Sequence, residues 1–172
     1  MIERIAELGD DALGNLFTIT FSGTPTGVDL EDLSFRIQAF TVPSTGGNTY
    51  EVHYKTQSMT KPGGKVDMPH EFSFDFRVDR NWNLYTALKT WRNLKIDPYV
   101  GNIGSDADSG TNNRGSCIVS PIDGNGDEID GAPIWTFNGI YPNNIGDVGF
   151  DYTQGDPIIV TVGMVFIRMN SE

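Results

Sequence analysis

The sequence predicts a mainly β fold, a sandwich or barrel with one packed α-helix. Three observations carry this: repeated runs in which apolar and polar residues alternate, an abundance of turn formers (20 Gly and 9 Pro), and one stretch with helical periodicity. Strand side chains point alternately to opposite faces, so strict alternation marks a half-buried strand, whereas spacings of three and four mark a helix. The 172 residues suit one domain, residues 1–172. A chain of ~150 residues already buries roughly two-thirds of its unfolded surface. With 38% hydrophobic and 20% charged residues the composition is that of an ordinary globular protein.

An N-terminal arm, residues 1–14, precedes the first strand, in which Phe17, Ile19 and Phe21 alternate with Thr18 and Thr20 before the turn-rich Ser22–Gly27. Leu33, Phe35, Ile37 and Ala39 form a second alternating run, and Tyr50, Val52 and Tyr54 a third. The turn-forming Pro43–Asn48 between them predicts that these two runs pair as a hairpin. Lys61–Lys65 (KPGGK) reads as a loop, which completes a hairpin-and-loop region over residues 41–70. Phe72, Phe74, Phe76 and Val78 then give the clearest period of two in the chain. Over residues 79–95, Leu84, Leu88 and Trp91 fall on one helical face, as do Ala87, Trp91 and Leu94. Asp79 or Asn81 is the expected N-cap and Pro98 enforces the stop. Trp82, Tyr85 and Trp91 are expected to pack this helix onto a sheet.

Residues 97–115 hold almost no apolar side chain and are expected to form a long loop. Ser116–Ile122 and Pro133–Ile140 flank an acidic turn and predict a hairpin. Ile145–Tyr152 and Pro157–Met169 predict a final strand pair around Thr153–Pro157.

Charge and motif content exclude several functions. The net charge is −11, and it is uneven: residues 36–96 sum to +4, while the rest sums to −15. Tight binding of duplex DNA runs on clustered Lys and Arg, which this balance argues against. A basic middle between acidic flanks suits copies that pair with one another. The single Cys117 excludes an intrachain disulfide, and with only His53 and His70 beside it no zinc-ligand pattern forms. Asp123–Glu128 begins like a calcium loop, but Glu128 stands where Gly is needed and Ile134 where a bidentate Glu is needed. No nucleophile elbow, phosphate loop or dinucleotide fingerprint occurs, so neither an enzyme nor a cofactor is expected. The first ten residues lack the basic-then-apolar pattern of a secretory signal, and no stretch reaches the ~20 apolar residues of a membrane helix. A soluble protein made in a cytoplasm is the expectation.

The last third carries a more specific pattern. Trp135–Tyr152 (WTFNGIYPNNIGDVGFDY) leads into PIIVTVGMVF. This run resembles the C-terminal signature of tail tube proteins of contractile-tailed bacteriophages, the T-even-like myovirus tail tube family. There an aromatic-Pro-x-Asn-(Ile/Val)-Gly-acidic turn joins two strands ahead of a closing apolar strand. The N-terminal half is similar in order, from Asn15-Leu16-Phe17 through a strand ending at Val42-Pro43 to the helix with Trp91.

The resemblance implies a β-sandwich subunit of a hexameric ring, with inner sheets joined edge to edge into a continuous barrel, which removes exposed strand edges. Stacked rings would form the tail tube, a structural virion component assembled in the host cytoplasm. It would meet sheath, baseplate and tail terminator proteins. DNA would transit its acidic bore without specific binding and the chain would insert in no membrane. Glu51, Asp147 and Asp151 are candidates to face the bore. Lys55, Lys61 and Lys65, within the stacking loops of residues 41–70, are candidates for contacts between rings, with Glu3, Glu7, Asp10 and Asp11 of the arm as acidic partners. A tube of a related contractile injection or secretion device is the alternative. A monomeric β-sandwich binding module, with Trp82, Tyr85, Trp91 and Tyr141 lining a groove, is the rival from another class.

Overall fold

A computed structural model describes residues 14–95, 114–151, 153 and 155–171. Its architecture is mainly β, as the alternation predicts. Strands β1 (Phe17–Ser22), β2 (Ile37–Phe40), β5 (Glu71–Arg77), β6 (Gly115–Pro121), β7 (Trp135–Ile145), β8 (Ile159–Val165) and β9 (Arg168–Ser171) form one antiparallel sheet. Its path runs β1-β6-β7-β8-β5-β2, with β9 also on β7. Strands β3 (Gly46–Tyr54) and β4 (Gln57–Asp67) form a separate two-stranded ribbon, and helix α1 spans Asn83–Lys95.

The large sheet folds back on itself because β7 changes partners along its length. Its first half pairs with β6 and β9, and its second half with β8. Gly139 sits at the changeover with φ +70, in the left-handed region that a side chain resists, and its carbonyl accepts from Arg114 Nη1 at 3.1 Å. The fold-back brings Phe72 within 4.7 Å of Phe137, Phe40 within 5.9 Å of Phe137 and Phe21 within 5.8 Å of Phe74, centroid to centroid. Phe72, Phe74 and Phe137 belong to the buried core, each worth about 1.5–3 kcal/mol of burial, and the partly buried Phe21 and Phe40 pack against it.

The helix adds Leu84, Leu88 and Trp91 to that core. Trp91 is fully buried, and its ring crowds Gly115 so closely that a Cβ there would lie 3.1 Å from it. The expected N-cap is realised in a modified form. Trp82, with φ 61, supplies the carbonyl that accepts the first helical bond, from Thr86 N. The Asp79 carboxylate accepts from Asn83 N at 2.9 Å and Leu84 N at 3.1 Å. Left-handed Trp82 costs of order 1–3 kcal/mol, offset in part by ring contacts to Tyr85 (5.5 Å, edge-on) and Phe150 (6.0 Å).

Four expectations need correction. The run at Leu33–Ala39 does not pair with the run at Tyr50. β2 pairs with β5, and β3 pairs with β4. Leu33 ends a 3-10 turn (Glu31–Leu33) and is buried beside Val28 and Leu30, which throws Phe35 outward. Lys61–Lys65 is no loop but part of β4, because Gly63–Lys65 form a bulge that Asn48 closes by accepting from Lys65 N at 3.1 Å. Finally, strand pairing of β7 stops at Ile145, so Gly146–Asp151 is not a strand. What runs beside β7 is the β8–β9 segment, from Ile145↔Val162 to Trp135↔Ser171, with a one-residue register shift between Pro142 and Asn144 and a break at Phe166–Ile167. The predicted loop at 97–115 lies outside the described residues apart from Arg114 and Gly115.

Candidate assembly interface

The β3–β4 ribbon stands apart from the body. Every residue of β3 is exposed, and among the described residues β4 is hydrogen-bonded to no strand but β3. Directly opposed residues of an antiparallel pair share a face. The register Tyr50↔Lys61, Val52↔Met59 and Tyr54↔Gln57 therefore collects the apolar side chains on one side. Glu51↔Thr60 and His53↔Ser58 form the other, polar side. Tyr50, Val52, Tyr54 and Met59 are 53, 38, 73 and 62% exposed. A lone two-stranded hairpin is marginal in water, and a contiguous exposed apolar face marks an interaction surface.

Basic side chains surround this face. Lys61 lies on it, opposite Tyr50. Lys55 forms the tip in the left-handed region, φ 54, with Nζ 5.7 Å from the Tyr54 ring centre. Lys65 sits in the bulge toward the base. All three candidate contact lysines thus lie on one projecting element. Their proposed partners Glu3, Glu7, Asp10 and Asp11 lie outside the described residues.

The candidate bore residues fall on two elements. Glu51 belongs to the polar face of the ribbon, with Oε2 3.4 Å from His53 Nε2. Asp147 and Asp151 are exposed in the segment after β7, so the alternation invoked to give them a common face does not operate there. Asp151 holds a local turn instead. The Thr153 hydroxyl and amide donate to its Oδ1 at 2.7 and 2.8 Å and hold its carboxyl below the usual range. The calcium-loop look-alike has the same explanation. Asp123 Oδ1 accepts from Asp127 N at 2.9 Å and Asn125 N at 2.8 Å, which lowers its pKa and spends the carboxylate on the turn. Cys117 is buried in the core, and burial pushes its thiol pKa far up, which makes it a packing residue and not a nucleophile. Of the four aromatic residues of the rival binding groove, Trp91 is buried in the core, Trp82 and Tyr85 pack on each other, and Tyr141 is stacked on Arg114 at 5.0 Å.

No protein-family model and no curated protein matches the sequence. Solved structures do match, over the whole length of the chain. A chain of the PVC sheath-tube complex of an extracellular contractile injection system, in the extended state, is 13% identical with a TM-score of 0.64, covering 100% of this chain and 97% of that one. A chain of the PVC sheath/tube terminator is 12% identical with a TM-score of 0.65, covering 96% and 99%. A chain of the anti-feeding prophage baseplate, 6-fold symmetrised, is 12% identical with a TM-score of 0.62, covering 95% and 97%. At such identities the likeness is one of fold: this chain has the fold of chains found in the tube assemblies of contractile injection systems.

Proposed function

We propose that the chain is a structural subunit of a tube, forming hexameric rings that stack inside a contractile sheath. The observation that carries this reading is the fold shared with a chain of a sheath-tube complex over 100% of this chain and 97% of that one. The unpartnered amphipathic ribbon supports it, since an exposed apolar face on a projecting hairpin needs another molecule to cover it. The terminal strands β1 and β2 support it as well, because open edges are hazards that ring closure removes. Sheath, baseplate and terminator proteins are the partners of this reading, and its role is architectural, not catalytic.

The finer assignment is the tail tube of a contractile phage, a conduit for genome ejection, and it rests on the Trp135–Tyr152 signature and the acidic balance of −11. An acidic wall repels phosphates, so DNA slides without sticking. The tube of an extracellular injection device is the second reading, favoured by the particles named above. Assembling the chain with its neighbouring tail genes and imaging the particles tests both. Tails on DNA-filled heads support the phage assignment, headless sheathed particles support the injection device, and particles that lack this chain sink the shared reading.

A further inference from the structure

We propose that Asn125, in the acidic turn between β6 and β7, is a site of spontaneous modification: its side-chain amide is lost to attack by the backbone nitrogen of Gly126, which leaves an aspartate or isoaspartate in its place. The inference does not depend on the tube reading, because the reaction needs only this turn and water. The Gly126 nitrogen forms a bond to Cγ of Asn125, the bond from Cγ to Nδ2 breaks, and ammonia leaves a five-membered succinimide. Water then opens the ring at either carbonyl, giving aspartate or isoaspartate. Glycine in the second position favours closure, since no Cβ crowds the nucleophile and the backbone turns freely.

The sequence has two such pairs, Asn125-Gly126 and Asn138-Gly139, and the fold treats them oppositely. Asn125 and Gly126 are both exposed, and a Cβ built on Gly126 would meet nothing within 4 Å. The Gly126 amide donates to the Asp123 carbonyl at 3.1 Å, a turn bond for which water competes. Asn125 Nδ2 reaches Asp123 Oδ2 only at 3.4 Å, a loose restraint on the side chain that must turn toward the nucleophile.

Asn138 lies inside the ladder. It is paired with Ser116 of β6 on one side and Arg168 of β9 on the other, and its carbonyl accepts from Ile167 N at 3.0 Å. Gly139 is crowded, with Ile167 Cδ1 2.6 Å from where a Cβ would stand. Closing a ring there requires the middle strand to open first. Asp123-Gly124, in the same turn as Asn125, is protected in another way. The amides of Asp127 and Asn125 hold the Asp123 carboxyl ionised, and a carboxylate is a far poorer electrophile than an amide.

The product adds a negative charge beside Asp123, Asp127 and Glu128. As isoaspartate it also lengthens the backbone by one methylene between the amides of residues 125 and 127, the two that Asp123 Oδ1 holds.

Peptide mass spectrometry of the purified chain, aged in warm, mildly alkaline buffer with and without urea, tests the proposal. Cleavage after Glu128 puts the two asparagines on different peptides, and fragmentation places the mass gain of an amide-to-acid exchange. In the folded chain the gain at Asn125 is expected to outpace that at Asn138 by more than ~10-fold, with the two rates reaching parity in urea. No gain at Asn125, or equal rates at both sites in the folded chain, overturns the proposal. A preference for Asn125 that persists in urea overturns it as well, because sequence neighbours and not the fold would then set the site.

Discussion

β5 and β3 carry nearly the same pattern and meet opposite fates. In β5, Phe72, Phe74 and Phe76 alternate with Ser73 and Asp75, and all three rings are buried against β1, β7 and their neighbours. In β3, Tyr50, Val52 and Tyr54 alternate with Glu51 and His53, and all three stay exposed. Alternation reports that a strand has one apolar face. It does not report whether the cover for that face belongs to the same chain. The residue types hold the clue: the buried strand uses Phe, whereas the projecting one uses Tyr, which joins an apolar ring to a polar tip and suits a face that is wet before assembly.

This contrast can be broken by mutation. Trp91→Ala, in the core that β5 helps to build, is expected to cost about 3–5 kcal/mol of stability, read as a lower urea midpoint. Gly139→Ala forces a side chain into the left-handed region and toward Ile167, whose Cδ1 would lie 2.6 Å from the new Cβ. A loss of about 1–3 kcal/mol is expected, from strain alone. Asp79→Ala removes the carboxylate that caps α1 and is expected to cost about 1 kcal/mol by thermal unfolding.

The Asp79 cap also predicts a pH dependence. Slight burial favours its neutral form, but the amides of Asn83 and Leu84, aided by Arg36, outweigh that and hold its pKa below the usual value. A depressed folded-state pKa means the stabilisation is complete above the unfolded value, about 3.9, and is lost as pH falls through the folded one. The stability difference between the native chain and Asp79→Asn should therefore shrink in acid; a difference that grows below pH ~4 would contradict the cap. The smallest effect on stability belongs to the ribbon. Tyr50→Ser combined with Met59→Ser should change the monomer by no more than about 0.5 kcal/mol, while abolishing assembly in sedimentation. Loss of several kcal/mol in the monomer would place that face in the chain's own core.

Much of the body was legible because local pattern and burial agree there. Leu84, Leu88 and Trp91 fixed the helix, and the acidic turn between Ile122 and Pro133 correctly joined β6 to β7. Pairing partners were harder to read. Pro43–Asn48 has turn composition, yet it merely connects β2 to the ribbon, and composition carries no information about which strand a chain returns to. KPGGK read as a loop because Pro and Gly weaken strands; in a two-stranded ribbon, where both strands are edges, a proline and a bulge are tolerated. The final strand was misplaced onto Ile145–Tyr152 because Val148 and Phe150 continue the alternation, although Gly146 closes on Thr161 and the ladder ends there. Of the candidate site, the lysines came together on one element. The exposure of Phe35 escaped notice because Leu33–Ala39 alternates like a strand, and only tertiary burial of Val28, Leu30 and Leu33 reveals the turn.

The central claim is that the exposed face of the ribbon is completed by other copies of the chain. Sedimentation of the purified protein over a concentration series, with negative-stain images of the same samples, tests it most directly. The account predicts rings or hollow tubes whose share rises with concentration. A single species of monomer mass, about 18.9 kDa, at every concentration would contradict it.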